Sequence, residues 1–205
     1  MRYLSTAVCA AAVLAAGSAF AGENPAWTWG QIGYTSSSSG DDTTDAFGLN
    51  GSLGIADLFH FQVGYVNGSI GDVFGGPDQD YDGYSIVAGV HPHIAAGTDA
   101  VFNLRYQDMD LDDTNEDIDG WGLGAGLRHM LTDQFELNGM INWDRYSVDH
   151  VSNGDGTVVS WTVGGRYLAT PALSVGVSYT DADKTAFFVG GAATLDVRYQ
   201  FGDLF

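Results

Sequence analysis

The sequence predicts an all-β fold: an up-and-down antiparallel transmembrane β-barrel of about ten strands, with eight strands as the alternative. Three observations predict it. The N-terminal residues have the pattern of an export signal, apolar and polar residues alternate with a period of two over most of the remaining chain, and short links alternate with long polar links. A period of two is that of a β-strand, whose successive side chains point to opposite faces.

The export signal consists of a positive charge at Arg2, an apolar stretch over residues 7–16 and the small-residue site Ala19-Phe20-Ala21. This is the pattern of a cleaved secretory signal peptide. We therefore expect residues 1–21 to be removed and residues 22–205 to form a single barrel domain. The apolar stretch is shorter than the roughly 18 or more apolar residues of a spanning helix, and no later segment reaches that length.

The composition limits the classes of partner and of fold. Cys9, the only cysteine, lies in the removed segment with too little apolar sequence before it for a lipoprotein signal, so we expect neither a lipid anchor nor a disulfide. The formal net charge is −19, and removal of Arg2 makes it one unit more negative, which excludes nucleic acid as a partner. With 11 Phe, 10 Tyr and 5 Trp, the chain has too many aromatic residues for a disordered acidic protein.

Ten segments carry the alternation. In order they are 26–36, 47–55, 59–65, 81–91, 100–107, 120–128, 135–144, 159–167, 173–180 and 194–201. Their apolar face has aromatic residues toward the ends, which is typical of the aromatic girdles of a lipid-facing band. The other face is rich in Gly, Asn, Ser and Gln, whereas the solvent face of a soluble sandwich is rich in Lys, Glu and Thr. These segments are long enough to cross a bilayer when tilted.

The polar face also carries most of the basic residues of the exported chain. We predict that it lines a lumen crossed by an ion-pair network of Arg105, Arg128, Arg166, Arg198, Glu136, Asp144 and Asp196. Small barrels have interiors that side chains just fill, so a plugged lumen is favoured over a conducting one. The inward glycines 120, 122, 124 and 126 leave room at one wall, which keeps a narrow water-filled passage open as an alternative.

The links divide into two kinds that alternate along the chain. Short links are expected at 56–58, 91–98, 129–133 and 168–172, and long polar links at 36–45, 67–80, 108–119, 149–156 and 181–185. A barrel with short periplasmic turns and longer external loops gives this alternation. A weak repeat of about 40 residues, one hairpin per unit, agrees with it.

The last segment, Leu195-Asp196-Val197-Arg198-Tyr199-Gln200-Phe201, and the terminal Phe205 complete the pattern. With the export signal and the hairpins, the chain resembles small single-chain outer-membrane barrels of the OmpA transmembrane-domain and OmpX type. The resemblance implies location in the outer membrane, recognition of the C-terminal strand by the barrel-assembly machinery, contact with outer-membrane lipid and lipopolysaccharide, and a monomer. Asp203 departs from the pattern, since the assembly signal usually has an apolar residue there.

One acidic link has the spacing of a calcium loop. Its oxygen ligands would be Asp108, Asp110, Asp112, Glu116 and Asp119. The match is incomplete because Asp113 stands where the turn glycine belongs, and a second partial match at 78–83 has Gly89 in place of the bidentate carboxylate. We expect a solvated acidic rim with loosely bound divalent cations, which would bridge it to lipopolysaccharide phosphates, and no other cofactor.

Catalytic candidates are weak, so we predict no catalytic residues. His150 and Ser152 resemble the His-x-Ser arrangement of outer-membrane lipid A deacylases over three residues, without a following Glu. Ten strands are also typical of the outer-membrane aspartate-histidine proteases, but those barrels have much longer strands and loops. His91-Pro92-His93 would supply at most two metal ligands and is interpreted as a turn, and His60 as a member of the lumen network.

Three functions remain in order of preference. The first is a non-enzymatic outer-membrane barrel whose acidic external loops serve envelope integrity or surface interaction. The second is a narrow porin-like channel for small solutes, and the third is an enzyme that modifies lipid A in the outer leaflet.

Overall fold

The computed structural model describes residues 27–39, 42–70, 79–112, 116–148, 156–183 and 191–201. The predicted signal peptide lies outside these residues. The strands, in chain order, are β1 (Trp29–Ser39), β2 (Asp42–Ile55), β3 (Phe59–Ile70), β4 (Gln79–Val90), β5 (His93–Ala95), β6 (Thr98–Leu111), β7 (Glu116–Thr132), β8 (Phe135–Val148), β9 (Gly156–Leu168), β10 (Leu173–Ala182) and β11 (Ala192–Gln200).

Ten long strands form a closed antiparallel ring. Neighbours along the chain pair with each other, β4 pairs directly with β6, and β1 closes the ring on β11. The short strand β5 pairs only with the beginning of β6. The predicted barrel of ten strands is therefore confirmed, and the alternative of eight does not hold. A row of paired residues that is followed once round the ring leads back to β1 at a position about 12 residues away from the residue where it started. The strands are therefore steeply tilted, as barrel closure requires.

The two rims of the barrel differ in their connections. The short-turn rim carries the turns at 56–58, 91–97, 133–134 and 169–172, and it is also where β1 begins and β11 ends. The long-loop rim carries the links around 40–41, 71–78, 113–115, 149–155 and 184–190, which lie outside the described residues. The predicted positions of three short links agree with this arrangement, whereas most of the link predicted at 129–133 belongs to β7, which continues to Thr132.

Two predicted long links are largely strand instead. β1 and β2 stay in register up to the pair Ser39–Asp42, so most of the link predicted at 36–45 belongs to a hairpin. β6 and β7 likewise extend to the pair Leu111–Glu116 within the link predicted at 108–119. Ser, Thr and Asp conceal a strand from a hydrophobicity pattern, because the backbone ladder forms whatever the polarity of the side chains.

The strands place most of their large apolar side chains outside, and most of the buried side chains inside are polar. Large apolar residues such as Ile141, Val177 and Leu195 are about 60% exposed on the outer wall, whereas His60, Gln62 and Asn103 are buried within. This inverts the arrangement of a water-soluble protein and is the arrangement of a barrel whose outer wall faces lipid. The described residues contain no helix that is long and apolar enough to span a bilayer.

Candidate functional site

The lumen is where polar chemistry is concentrated. All seven charged residues predicted for it face inward and are at most 5% exposed; they are Arg105, Arg128, Glu136, Asp144, Arg166, Asp196 and Arg198. Asp99 on β6 is an eighth buried charge, which the sequence analysis missed. With Asp99, the described inward-facing strand positions hold four arginines and four carboxylates, so their formal charges balance.

Two of the ion pairs are direct and hydrogen-bonded. The guanidinium of Arg105 donates through Nη2 to the carboxylate of Asp144. Arg166 donates from Nη2 to Asp196 Oδ1 at 2.6 Å and from Nη1 to Ser174 Oγ at 3.2 Å. Buried charges are tolerated when they are paired and hydrogen-bonded, and both pairs meet that condition.

The other two arginines are held differently. Arg128 Nε lies 3.2 Å from Glu136 Oε1, an ion pair in which both side chains are almost completely buried. Arg198 donates from Nε at 2.8 Å and from Nη2 at 2.5 Å to the neutral amide oxygen of Gln31, and its guanidinium lies 4.1 Å above the ring of Trp29. A guanidinium can stack on an indole while its edge donates hydrogen bonds, which suits Arg to this position better than Lys.

Glycine on the intervening strand makes two of these pairs geometrically feasible. Arg166, Gly176 and Asp196 lie in one row across β9, β10 and β11. A Cβ added to Gly176 would lie 2.5 Å from Arg166 Nη2 and 2.6 Å from Asp196 Oδ2. Gly122 lies in the same way between Arg105 and Asp144. The missing side chain therefore leaves the space in which each ion pair forms.

The inward glycines of β7 do not leave the open passage that the sequence analysis kept as an alternative to a plugged lumen. A Cβ on Gly120 would meet the ring of Tyr146 at 2.5 Å, and one on Gly124 would meet Asn142 Oδ1 at 2.8 Å. Asp144 and Met140 cover Gly122 and Gly126 in the same manner. Side chains of β8 thus lie across the glycines of β7 and fill the space that the glycines leave.

A stack of aromatic and basic rings fills the lumen near the short-turn rim. We call Trp27, His60, His91 and Arg128 the histidine–tryptophan stack. The ring of Trp27 lies 3.7 Å from that of His91 and 4.4 Å from that of His60, nearly parallel to both, and the guanidinium of Arg128 lies 4.4 Å from Trp27. The Nδ1 atoms of His60 and His91 are 3.1 Å apart, and His60 Nε2 is 2.9 Å from Asn103 Oδ1.

His91 lies in the turn after β4, outside the spanning strands. Burial, followed by the electrostatic effects of His60 and Arg128, lowers the pKa of His91 to about 3. His91 is therefore neutral at physiological pH and can share one proton with His60 across the Nδ1 contact. The interpretation of His91 as an ordinary turn residue was too simple, because its side chain belongs to the stack.

An apolar layer fills the other end of the lumen. It consists of inward-facing residues that are at most 4% exposed: Tyr81, Met109, Leu111, Ile118, Tyr146 and Val158. Tyr81 is directly opposite Leu111, and Met109 is directly opposite Ile118. We call this set the apolar layer. The apolar layer, the ion pairs and the stack together place buried side chains along the described part of the lumen.

The residues of the predicted calcium loop are not gathered around a common point. Asp108 and Asp110 face outward on β6, and Asp119 faces outward on β7. Asp108 accepts a hydrogen bond from the hydroxyl of Tyr106 at 2.9 Å. Asp112 is exposed in the turn, while the side chain of Glu116 lies outside the described residues. Among the residues that the structure describes, no group of three or more His, Cys, Asp or Glu is placed to hold a metal ion.

The remaining candidates do not assemble a catalytic relay in the described part of the chain. His150 and Ser152 lie outside it. His93 does not join His91, since its Nδ1 is 3.1 Å from Asp99 Oδ1. His129 contacts the hydroxyl of Thr98 at 2.9 Å, and this pair is separate from His93 and Asp99.

Several solved structures have a similar fold. The β domain of the Bordetella autotransporter BrkA has 10% identity and a TM-score of 0.55, with 84% of this chain and 98% of that chain covered. A bacterial polysaccharide outer membrane secretin has 10% identity and a TM-score of 0.50, with 85% and 65% covered. KdgM porin has 11% identity and a TM-score of 0.48, with 83% and 99% covered. Identities this low establish fold and not activity.

No curated protein matches the chain. A family model does match, over residues 6–162, and it describes the outer membrane protein beta-barrel domain. The match covers more than half of the chain, and the closed ten-stranded ring with an apolar outer wall is the architecture that this description names. The chain therefore belongs to the outer membrane protein β-barrel domain family and is a small outer-membrane β-barrel.

Proposed function

We propose that this protein is a closed, non-enzymatic barrel that supports the integrity of the outer membrane and presents an acidic surface to the exterior. The observation that carries the proposal is the filled lumen, in which the charge-balanced ion pairs, the histidine–tryptophan stack and the apolar layer are all buried. A solute path needs a continuous hydrated space. Separating these pairs to create one would leave buried charges without partners, which costs several kcal/mol.

The orientation follows from the connections. Short turns face the periplasm and longer loops face the exterior in barrels of this kind, so the short-turn rim is assigned to the periplasm. Export would use the predicted signal peptide at 1–21, and insertion would use the C-terminal strand as the signal for the barrel-assembly machinery. We expect the protein to act as a monomer, because the ten strands close on themselves and leave no unpaired edge along the ring.

The external surface is acidic where the strands extend above the lipid-facing aromatic residues. Asp110 is directly opposite both Asp82 and Asp117, and Asp108 is directly opposite Asp119. Like charges that face each other across strands repel. Loosely bound divalent cations would relieve that repulsion and link the rim to the phosphates of lipopolysaccharide, which is how we propose that the rim supports the envelope.

Planar-bilayer recording tests the closed lumen. We expect the refolded protein to give no reproducible conductance steps. A heat-unfolded sample in the same detergent controls for leakage caused by the detergent itself. Reproducible steps from the folded protein, absent from the unfolded control, would instead establish the narrow porin-like channel.

Gel mobility with and without boiling tests folding and location together. We expect protein expressed with its signal peptide to fractionate with the outer membrane and to migrate differently before and after boiling. A soluble periplasmic product with a single mobility would contradict the membrane assignment.

Mass spectrometry of lipid A tests the absence of enzymatic activity. Cells that express the protein and cells that lack it should give the same lipid A masses. A new lipid A species that disappears in a His150→Ala variant would replace the proposal with a lipid-modifying enzyme.

A further inference from the structure

A cleft on the outer wall has the chemistry of a head-group site. It has a volume of about 320 Å³ and is lined by Asp119, Gly120, Trp121, Arg145, Tyr146 and Ser147. Arg145 on β8 is directly opposite Trp121 on β7, and both side chains are exposed. Among the described residues, Arg145 is the one Arg or Lys that faces outward from the barrel.

The position of the cleft along the barrel axis corresponds to the outer leaflet's head groups. Trp121 continues a row of aromatic residues, with its ring 5.0 Å from that of Tyr106, which in turn is 6.1 Å from that of Tyr84. Trp143 lies two residues before Arg145 on the same face of β8 and is 46% exposed. Aromatic rows of this kind lie at the boundary between hydrocarbon and head groups. Arg145 therefore lies next to that boundary, on the side of the long-loop rim.

The donors and acceptors in the cleft match a phosphorylated sugar. A guanidinium binds phosphate oxygens through two parallel hydrogen bonds, and the hydroxyl of Ser147 can add a third donor. The indole of Trp121 offers an apolar face with a polar edge, which suits a group at the water boundary. Asp119 can accept hydrogen bonds from sugar hydroxyls. Because a guanidinium has five N–H donors, Arg145 can contact Asp119 and a phosphate at the same time.

The acidic surroundings of Arg145 make it a selective position for an anionic head group. The long-loop rim on the neighbouring strands is acidic at Asp82, Asp108, Asp110 and Asp117, so an anionic head group is repelled there unless a divalent cation bridges the two. At Arg145 the positive charge of the guanidinium attracts an anionic head group instead. An anionic lipid that diffuses along the wall would then be held at one position on the barrel rather than spread round it.

We propose that the cleft around Arg145 and Trp121 binds the phosphorylated sugar head group of an outer-leaflet glycolipid. This deepens the proposed function, because it names the lipid partner and the place where the barrel contacts it. It rests on the outer-membrane location and not on the closed lumen. Failure of the lipid assay would therefore leave the conductance result unchanged, and the reverse also holds.

Native mass spectrometry of the refolded barrel tests the proposal. The protein would be released from neutral detergent micelles that contain either diphosphoryl lipid A or the same lipid A without its phosphates. We expect one diphosphoryl lipid A to remain bound to the wild type. We expect Arg145→Gln to lower the retained fraction about tenfold, because the bidentate contact is lost, and Arg145→Lys to give an intermediate value.

Trp161→Leu is the matched control, since Trp161 is also an exposed aromatic residue of the outer wall, next to Tyr179 rather than to Arg145. This variant should retain lipid A as the wild type does, and heat-dependent gel mobility would confirm that every variant is folded. Equal retention by the wild type and Arg145→Gln would overturn the proposal. Equal retention of lipid A with and without phosphates would also overturn it.

A further arm distinguishes a lipid from a free anion. Inorganic phosphate in excess over lipid A should leave the bound lipid in place, because the sugar and acyl groups add contacts that phosphate alone lacks. Displacement of the lipid by inorganic phosphate in the wild type, with no such effect in Arg145→Gln, would assign the cleft to free phosphate and refute the glycolipid.

Discussion

Arg105 and Asp144 form a direct ion pair that is buried inside the lumen. Arg105 and Asp144 are each at most 2% exposed, so bulk water cannot solvate the charge of one residue if the other is removed. Breaking a buried pair by removing one member leaves an uncompensated charge, whereas removing both members costs much less. The ion pairs should therefore respond to single and double substitutions in very different ways.

Asp144→Asn should destabilise the barrel strongly. We expect the free energy of unfolding to fall by about 3–5 kcal/mol, because the guanidinium of Arg105 would stay buried without its carboxylate. Urea titration of the refolded protein in detergent, followed by tryptophan fluorescence, measures the change. The double variant Arg105→Gln, Asp144→Asn should recover part of the loss. A double variant that is as unstable as the sum of the two single variants would contradict the pairing.

A second residue-scale prediction concerns the glycine between Arg166 and Asp196. Gly176→Ala places a Cβ about 2.5 Å from Arg166 Nη2 and should force the pair apart. We expect a loss of about 1–3 kcal/mol, the usual cost of overpacking a buried site. Gly51→Ala is the matched control, because a Cβ there meets nothing closer than 3.9 Å. The same urea titration should find the control unchanged or slightly more stable.

At the scale of strands and turns, the sequence pattern predicted most of the barrel. Period-two alternation located all ten long strands, and the turn at 56–58 lies where it was expected. The pattern failed where strands continue as Ser, Thr and Asp, as in the β1–β2 hairpin, since polarity on both faces removes the alternation. The sequence pattern also could not predict the register between strands. The row that joins Arg166, Gly176 and Asp196 depends on which residues of neighbouring strands pair.

The turn between β2 and β3 provides a prediction at this scale. Ala56 has a φ of 48°, in the left-handed region that favours glycine. Ala56→Gly should relieve the strain and raise the free energy of unfolding by up to about 1 kcal/mol, offset in part by the greater freedom of glycine in the unfolded chain. Ala95→Gly, at the end of β5, controls for that entropic effect and should not stabilise the protein. A stabilisation of the same size in both variants would rule out relief of strain at Ala56.

For the molecule as a whole, charge is divided between a balanced interior and an acidic exterior. The sequence indicated both: seven of the eight charged residues that the structure describes in the lumen were predicted, and the rim was expected to be acidic. It could not predict that Trp27, just before β1, enters the lumen and stacks on His60 and His91. That contact joins residues far apart in the chain, and hydrophobicity alone places an isolated Trp on the lipid face as readily as in the lumen.

The stack should make global stability depend on pH. The pKa of His91 is lowered to about 3 in the folded protein, against 6.5 for an exposed histidine, so the unfolded chain binds the extra proton first as pH falls. The contribution of His91 is therefore complete above about pH 6.5 and is lost progressively toward pH 3. Many carboxylates titrate in the same range, so the informative quantity is the difference in unfolding free energy between the wild type and His91→Gln.

We expect that difference to favour the wild type at pH 7.5 and to shrink steadily as the pH is lowered to 4, because the glutamine side chain of the variant does not take up a proton in this range. Urea midpoints of both proteins at matched pH values measure it, and His129→Gln serves as the control because His129 is exposed and its ring contacts the neutral hydroxyl of Thr98. If the difference in unfolding free energy between the wild type and His91→Gln is constant with pH, protonation of the stacked His91 does not cause the loss of stability in acid. The pH dependence would then have to come from the carboxylates and the other histidines of the rims and the lumen.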